Sequence, residues 1–158
     1  MNLTTIEIMK CRCGNILMQE TNDMEIIDDQ LIKKVREEAR KSPRLRMNYN
    51  FHQSLSEKCH RFLNALEPGT QIPVHHHPTK DETFVILKGK VRVSIYNDEG
   101  KVLQTCIICH EEGSYGVNIP KNMWHGVECI EPSVIFECKE GPFVEHEAEG
   151  ILNPGIIG

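Results

Sequence analysis

From about residue 49 onward the hydrophobic period of the chain becomes two. In "KVRVSIYNDEGKVLQTCII", residues 90–108, Val91, Val93 and Ile95 alternate with Arg92, Ser94 and Tyr96. Successive side chains of a strand point to opposite faces, so this alternation gives one apolar face. "NDEG" then supplies turn residues, and a second strand returns as a hairpin. Further strands are predicted at "RFLNAL", "QIPVHH", "ETFVIL", "YGVNIP", "WHGVECI" and "SVIFECK", most of them separated by Gly, Pro or Asn. Many short strands with no helix between them predict an antiparallel sandwich or barrel.

Ahead of the strands, "DDQLIKKVREEARK" (28–41) repeats Leu31, Val35 and Ala39 every four residues with charges elsewhere. This spacing predicts an amphipathic helix, with Asp28 or Asp29 as N-cap and Pro43 behind its end. Residues 1–23 have no clear period and read as an N-terminal arm. The expected division is arm 1–23, helix and connecting segment 24–48, strand-rich barrel 49–146 and tail 147–158. A chain of 158 residues suits one domain with a real core.

The formal net charge of −5 leaves no broad basic face to neutralise phosphates, so no nucleic-acid partner is expected. No apolar run reaches the roughly 20 residues of a membrane span. Glu7 interrupts the scattered apolar residues of "MNLTTIEIMKCRCGN", which is no secretory signal, and a cytoplasmic location is expected. The cysteines (Cys11, Cys13, Cys59, Cys106, Cys109, Cys129 and Cys138) are odd in number and read as reduced, mostly buried thiols. Cys11 and Cys13 could be reactive thiols in an exposed arm.

"HHHPTKDE" (75–82) carries the densest set of metal-ligand side chains. Strand alternation lets His75 and His77 project together while His76 points away. Glu82 begins the next strand on the face shared by Phe84 and Ile86, where an unpaired carboxylate would be expensive to bury. A divalent cation held by the two imidazoles would neutralise it.

Gly69, His75, His77, Glu82 and Gly89 fit G-x5-H-x-H-x4-E-x6-G, and Pro120, Asn122 and His125 fit P-x-[G/N]-x2-H. Together these resemble the two motifs of the cupin superfamily, a small jelly-roll barrel that binds metal with three His and one Glu. The resemblance implies an all-β fold, a single cupin antiparallel β-barrel with an N-terminal helix, whose metal ligands are His75, His77, Glu82 and His125. The second motif usually begins with a Gly separated from its Pro by five residues, and Gly113 stands one residue too early. Asn122 replaces the usual Gly, which the backbone accepts because Asn tolerates positive φ. Cys129 stands where an Asn is common.

"ARKSPRLRMNYNFHQS" before "CHRFLNALEPGT", and "FECKEGPF" after the last strand, narrow the resemblance to WbuC-type cupin metalloproteins. These occur in some bacterial surface-polysaccharide gene clusters, and the resemblance covers about residues 26–143. It also implies a homodimer, since cupin sheet edges often pair between subunits.

Around the predicted helix end lie the donors Ser42, Arg44, Arg46, Asn48, Asn50 and His52, and Arg61 opens a strand. Arg captures carboxylate or phosphate in bidentate fashion. Arg44, Arg46, Arg61 and Asn50 are therefore candidate substrate contacts, with a solvated basic patch as the plainer reading of Arg44 and Arg46. Glu137 and Lys139 alternate on one face of a late strand. Facing inward they would be a charge pair for proton transfer, with His52 as a further candidate; facing outward they are a surface pair. "CIICH" (106–110) matches the c-type haem signature, but no export signal accompanies it and a strand would face its thiols oppositely, so no haem is expected.

Three imidazoles and a carboxylate suit Fe, Mn, Ni, Co or Zn. An inner apolar row (Phe84, Ile86, Met123) with Arg or Lys at the rim suits a small, polar, anionic metabolite. The expected function is a metal-dependent isomerase, epimerase or lyase acting on a sugar or sugar acid, linked to surface-polysaccharide biosynthesis. The alternatives are a non-catalytic metabolite-binding or regulatory cupin and an Fe(II)-dependent dioxygenase.

Overall fold

Asp28 starts the only long helix among the described residues by accepting hydrogen bonds from the Gln30 and Leu31 amides at 3.0 and 2.9 Å. The computed structural model describes residues 24–143, together with the backbone of three two-residue strands in the terminal segments. Helix α1 spans Asp29–Lys41. The strands are β1 (Met9–Lys10), β2 (Ile16–Leu17), β3 (Arg46–Asn50), β4 (Cys59–Leu66), β5 (His75–His76), β6 (Glu82–Tyr96), β7 (Val102–Ile108), β8 (Gly116–Ile119), β9 (Trp124–Glu140) and β10 (Gly150–Ile151). No helix among the described residues is long and apolar enough to cross a membrane.

Val35 and Ala39, both fully buried, press α1 onto Tyr49, Leu63, Ala65 and Val134. Burying such a valine contributes on the order of 2 kcal/mol. The opposite face of the same strands carries the second core, built on Leu66, Phe84, Ile86, Val91, Val93, Ile108 and Ile135. Strand β4 is thus buried on both sides, which blurs its alternation in the sequence.

Strands β6 and β9 pair along nearly their whole length and bend together, with register shifts between Ile86 and Val91. In one half the order is β3-β4-β9-β6-β8, and in the other β10-β5-β9-β6-β7. Gly89 (φ 85°) sits at the bend. There Ser133, fully buried, accepts the Lys90 amide at 2.9 Å and gives its own proton to the Glu131 carbonyl at 2.6 Å. Gly89 and Pro132, which punctuate the sequence like strand ends, are therefore bulge residues inside continuous strands.

The sheet does not close, so the expected jelly-roll β-barrel is corrected to an open, folded antiparallel sheet with an N-terminal helix. The pairing path runs β1-β2-β3-β4-β9-β5-β10, with β7 and β8 branching off β6, and no strand among the described residues joins its ends. The sheet also has one parallel contact, Ile16 with Tyr49, between β2 and β3. Hydrophobic alternation decides which face of each strand is buried; it does not decide whether distant edges meet.

Candidate metal centre

Cross-strand register builds the site. On the inner face, Asn48, Asn64, Ile135 and Ile86 form one row across β3, β4, β9 and β6; Phe62, Glu137 and Phe84 form the next; His60, Lys139 and Glu82 form a third. In the other half His75 on β5 pairs directly with His125 on β9. The turn ahead of His125 is tied to the His77–Glu82 segment: the Asn122 amide donates to the His77 carbonyl at 2.8 Å, and the Lys121 amide to Asp81 Oδ1 at 2.8 Å. Asn122 holds φ 62°, the left-handed conformation that Gly or Asn takes most easily.

These contacts bring His75, His77, Glu82 and His125 together, with one ligand atom from each inside a group spanning at most 4.8 Å. The His75 and His125 rings lie 4.3 Å apart, and the His77 ring is 5.0 Å from His75 and 5.7 Å from His125. His75 donates Nδ1–H to the Pro73 carbonyl at 2.9 Å, and His125 donates Nδ1–H to the Met123 carbonyl at 2.8 Å. A carbonyl can only accept, so both rings carry their proton on Nδ1 and leave an Nε2 lone pair. Backbone acceptors orient metal-binding histidines in this way.

Two observations fit a cation. His125 is 1% exposed, yet its Nε2 is buried with no hydrogen-bond partner. An orphaned acceptor of this kind is expensive unless something binds it. His77 Nε2 meets Glu82 Oε2 at 2.8 Å, both side chains buried, so an imidazole and a carboxylate already converge there. Burial, then the neighbouring His125, lowers the His75 pKa to about 4, and burial also lowers that of His125, so both are neutral and able to ligate near pH 7. Burial alone would raise the Glu82 carboxyl, but the His77 hydrogen bond and the Lys139 charge hold it down at about 2. The cluster is therefore a His3Glu set capable of coordinating a divalent metal.

A cavity of about 390 Å³ opens onto His75 and Glu82. Arg44 and Arg46 line it, as do Asn48, Asn64, Glu137 and Lys139. Lys139 Nζ lies 3.5 Å from Glu137 Oε1, and Asn64 Nδ2 donates to Glu137 Oε2 at 3.5 Å. Burial, then the Glu82 charge, raises the Glu137 carboxyl to about 8, with Lys139 opposing.

Other sequence candidates lie elsewhere. His76 turns from the cluster and packs on Trp124, ring centroids 4.0 Å apart. Asn50 is buried but does not line the cavity. His52 stacks on His60 at 4.4 Å and accepts the Arg61 amide, while the Arg61 guanidinium pairs with Glu57 at 3.3 Å. Phe84 and Ile86 pack in the core, with Met123 against it, rather than on the cavity wall, where Phe62, Ile72, Val127 and Ile135 stand instead. Asn64 also lines the cavity, and its position in "RFLNAL", two residues after Phe62 on the same face, is the sequence signal for it. Within "CIICH", Cys109 is buried and Cys106 half-buried at the end of β7. Cys11 and Cys13 lie outside the described residues.

Residues 27–108, more than half of the chain, match the family described as "Domain of unknown function (DUF6016)". The chain belongs to this family. No curated protein matches it in sequence. Among solved structures, it is similar to a conserved protein of unknown function, SPY1581 of Streptococcus pyogenes, at 13% identity and TM-score 0.54, over 81% of this chain and 96% of that one. The cupin domain of Schizosaccharomyces pombe Cnp3 matches at 14% identity and TM-score 0.49, over 70% of this chain and 74% of its own. The oxalate decarboxylase of Lactobacillus farciminis matches at 20% identity and TM-score 0.45, over 55% of this chain and only 25% of the decarboxylase. At such identities the likeness is one of architecture alone.

Proposed function

We propose that this DUF6016 protein holds one divalent transition metal through His75, His77, Glu82 and His125. We further propose that the centre serves an enzyme acting on a small, anionic, oxygen-rich metabolite. The observation that carries this reading is the buried, unpartnered His125 Nε2 within a convergent set of four ligand atoms. A metal bound there supplies Lewis-acid polarisation of substrate oxygens.

The chain's own residues supply the rest. Arg44 and Arg46 receive the anionic group where the cavity meets solvent. Glu137, whose carboxyl burial raises above the ordinary carboxylate range, is placed to exchange a proton with a substrate carbon or hydroxyl. Lys139 and Asn64 hold the two Glu137 oxygens in place. Isomerisation, epimerisation and elimination all need such a proton-transfer group beside a polarised oxygen. A cavity that keeps Glu137 and Lys139 open to a ligand favours turnover over metabolite capture without chemistry. The choice of a sugar or sugar acid, and the link to surface polysaccharide, rest on the sequence resemblance to WbuC-type cupins.

Solvent-deuterium exchange tests the role of Glu137. The protein, loaded in turn with Fe(II), Mn(II), Ni(II), Co(II) and Zn(II), is incubated in D2O with a panel of aldonic and keto-sugar acids and followed by NMR. Wild type is expected to exchange a carbon-bound proton of one of them. Glu137→Gln is expected to slow that exchange by at least about a hundredfold while holding the same metal content. Saturable binding with no exchange on any member would leave the metabolite-binding reading in its place.

A further inference from the structure

Cys59 and Cys138 stand on the neighbouring antiparallel strands β4 and β9. Cys59 is in register with Glu140 and Arg61 with Cys138, so the two cysteines are diagonal neighbours. Their sulfurs are 3.5 Å apart. Cys59 is exposed and Cys138 half-buried, whereas Cys109 and Cys129 are buried. A disulfide requires a sulfur separation near 2.05 Å, so closing this pair takes a relative shift of about 1.5 Å, shared between side-chain rotation and adjustment of the two strands, since diagonal neighbours stand farther apart than directly opposed residues.

We propose that Cys59 and Cys138 form a site of reversible disulfide modification, with a low-molecular-weight disulfide as the oxidant. The Cys59 thiolate, having released its proton to solvent, attacks one sulfur of the small disulfide. A mixed disulfide forms and the first small thiolate leaves. The Cys138 thiolate then attacks the Cys59 sulfur, forming the Cys59–Cys138 bond and expelling the second small thiolate. In sum, two protein thiols lose two protons and two electrons, and the small disulfide is reduced to two thiols.

The order follows from the surroundings. Burial and the Cys59 sulfur raise the Cys138 thiol above its ordinary value, with the Arg61 charge opposing, so the exposed Cys59 meets the oxidant first. Cys138 sits between Glu137 and Lys139, both of which line the cavity. Alternation turns Cys138 to the opposite face, so the bridge forms outside the cavity and leaves the histidine cluster intact. Exposed cross-links of this kind are the readily reduced class of disulfide.

The test uses the full chain and a series of oxidised-to-reduced glutathione ratios, followed by acid quenching, alkylation and peptide mass mapping. The expected result is a Cys59–Cys138 linked peptide, a loss of two alkylatable thiols, and full reversal by dithiothreitol. Cys59→Ser, a change at an exposed position, is expected to abolish the link and leave Cys138 alkylatable. Accumulation of the Cys59 mixed disulfide in wild type without linkage to Cys138 would overturn the proposal. So would preferential linkage of Cys59 to any other cysteine. The readout is a peptide mass, so it stands or falls separately from metal binding.

Discussion

His125→Ala is expected to weaken metal binding at least about a hundredfold, since even loss of a group that only orients a ligand costs 10–100-fold. His125 is the ligand most remote in sequence from the other three, and its register with His75 is the contact that completes the set. Its Nδ1 is already committed to the Met123 carbonyl, so the whole effect falls on the unpartnered Nε2. Competition against a chromophoric chelator at fixed pH measures the change. His76→Ala is the matched control, because the His76 ring packs on Trp124 outside the cluster, and its affinity is expected to stay at the wild-type value. Equal weakening by the two substitutions would mean that the histidines act through packing and not through ligation.

Gly89→Val is expected to destabilise the fold by about 4 kcal/mol, adding left-handed backbone strain to overpacking. Gly89 holds φ 85°, and a Cβ there would stand 2.3 Å from the Pro132 carbonyl oxygen and 2.7 Å from the Ser133 Cα. Both are backbone atoms of β9 at the bend, so relief requires opening the β6·β9 pairing that joins the two halves. Gly113→Ala is the comparison: φ is similar at 80°, but nothing lies within 4 Å of the added Cβ. Strain alone is then at work, and a loss of about 1–2 kcal/mol is expected. Urea denaturation midpoints should fall in that order, with the slope for Gly113→Ala unchanged. A Gly89→Val protein as stable as Gly113→Ala would show that the bend does not need the close approach.

Much of the site was legible because it depends on spacing along single strands. Alternation separated His76 from His75 and His77, and put Glu82 on the face of Phe84 and Ile86; the structure places all of these accordingly. The helix was legible for the same reason, since Leu31, Val35 and Ala39 share a face and Asp28 is free to cap it. What alternation could not supply was the pairing of distant edges. Many short strands leave sandwich and barrel open and the cupin resemblance implies the barrel, whereas Gly89 and Pro132 join pairs of strands into β6 and β9, and the path ends open. His52, Asn50 and Arg61 mark the same limit. Each is a good donor near the site in sequence, yet β3 ends at Asn50, His52 stacks on His60 and Arg61 pairs with Glu57, so none of the three lines the cavity. Asn64 shows the converse, a polar residue in a buried row whose meaning appears only when Glu137 arrives from β9.

The most direct test of the metal centre is elemental analysis of the purified 158-residue chain after equilibration with each candidate divalent ion and removal of the unbound excess. Wild type is expected to retain close to one equivalent of a transition metal per chain, and His125→Ala to lose it. Less than about a tenth of an equivalent of every metal in wild type would contradict that expectation, because four convergent ligands with two imidazoles already presenting free Nε2 lone pairs should retain the ion.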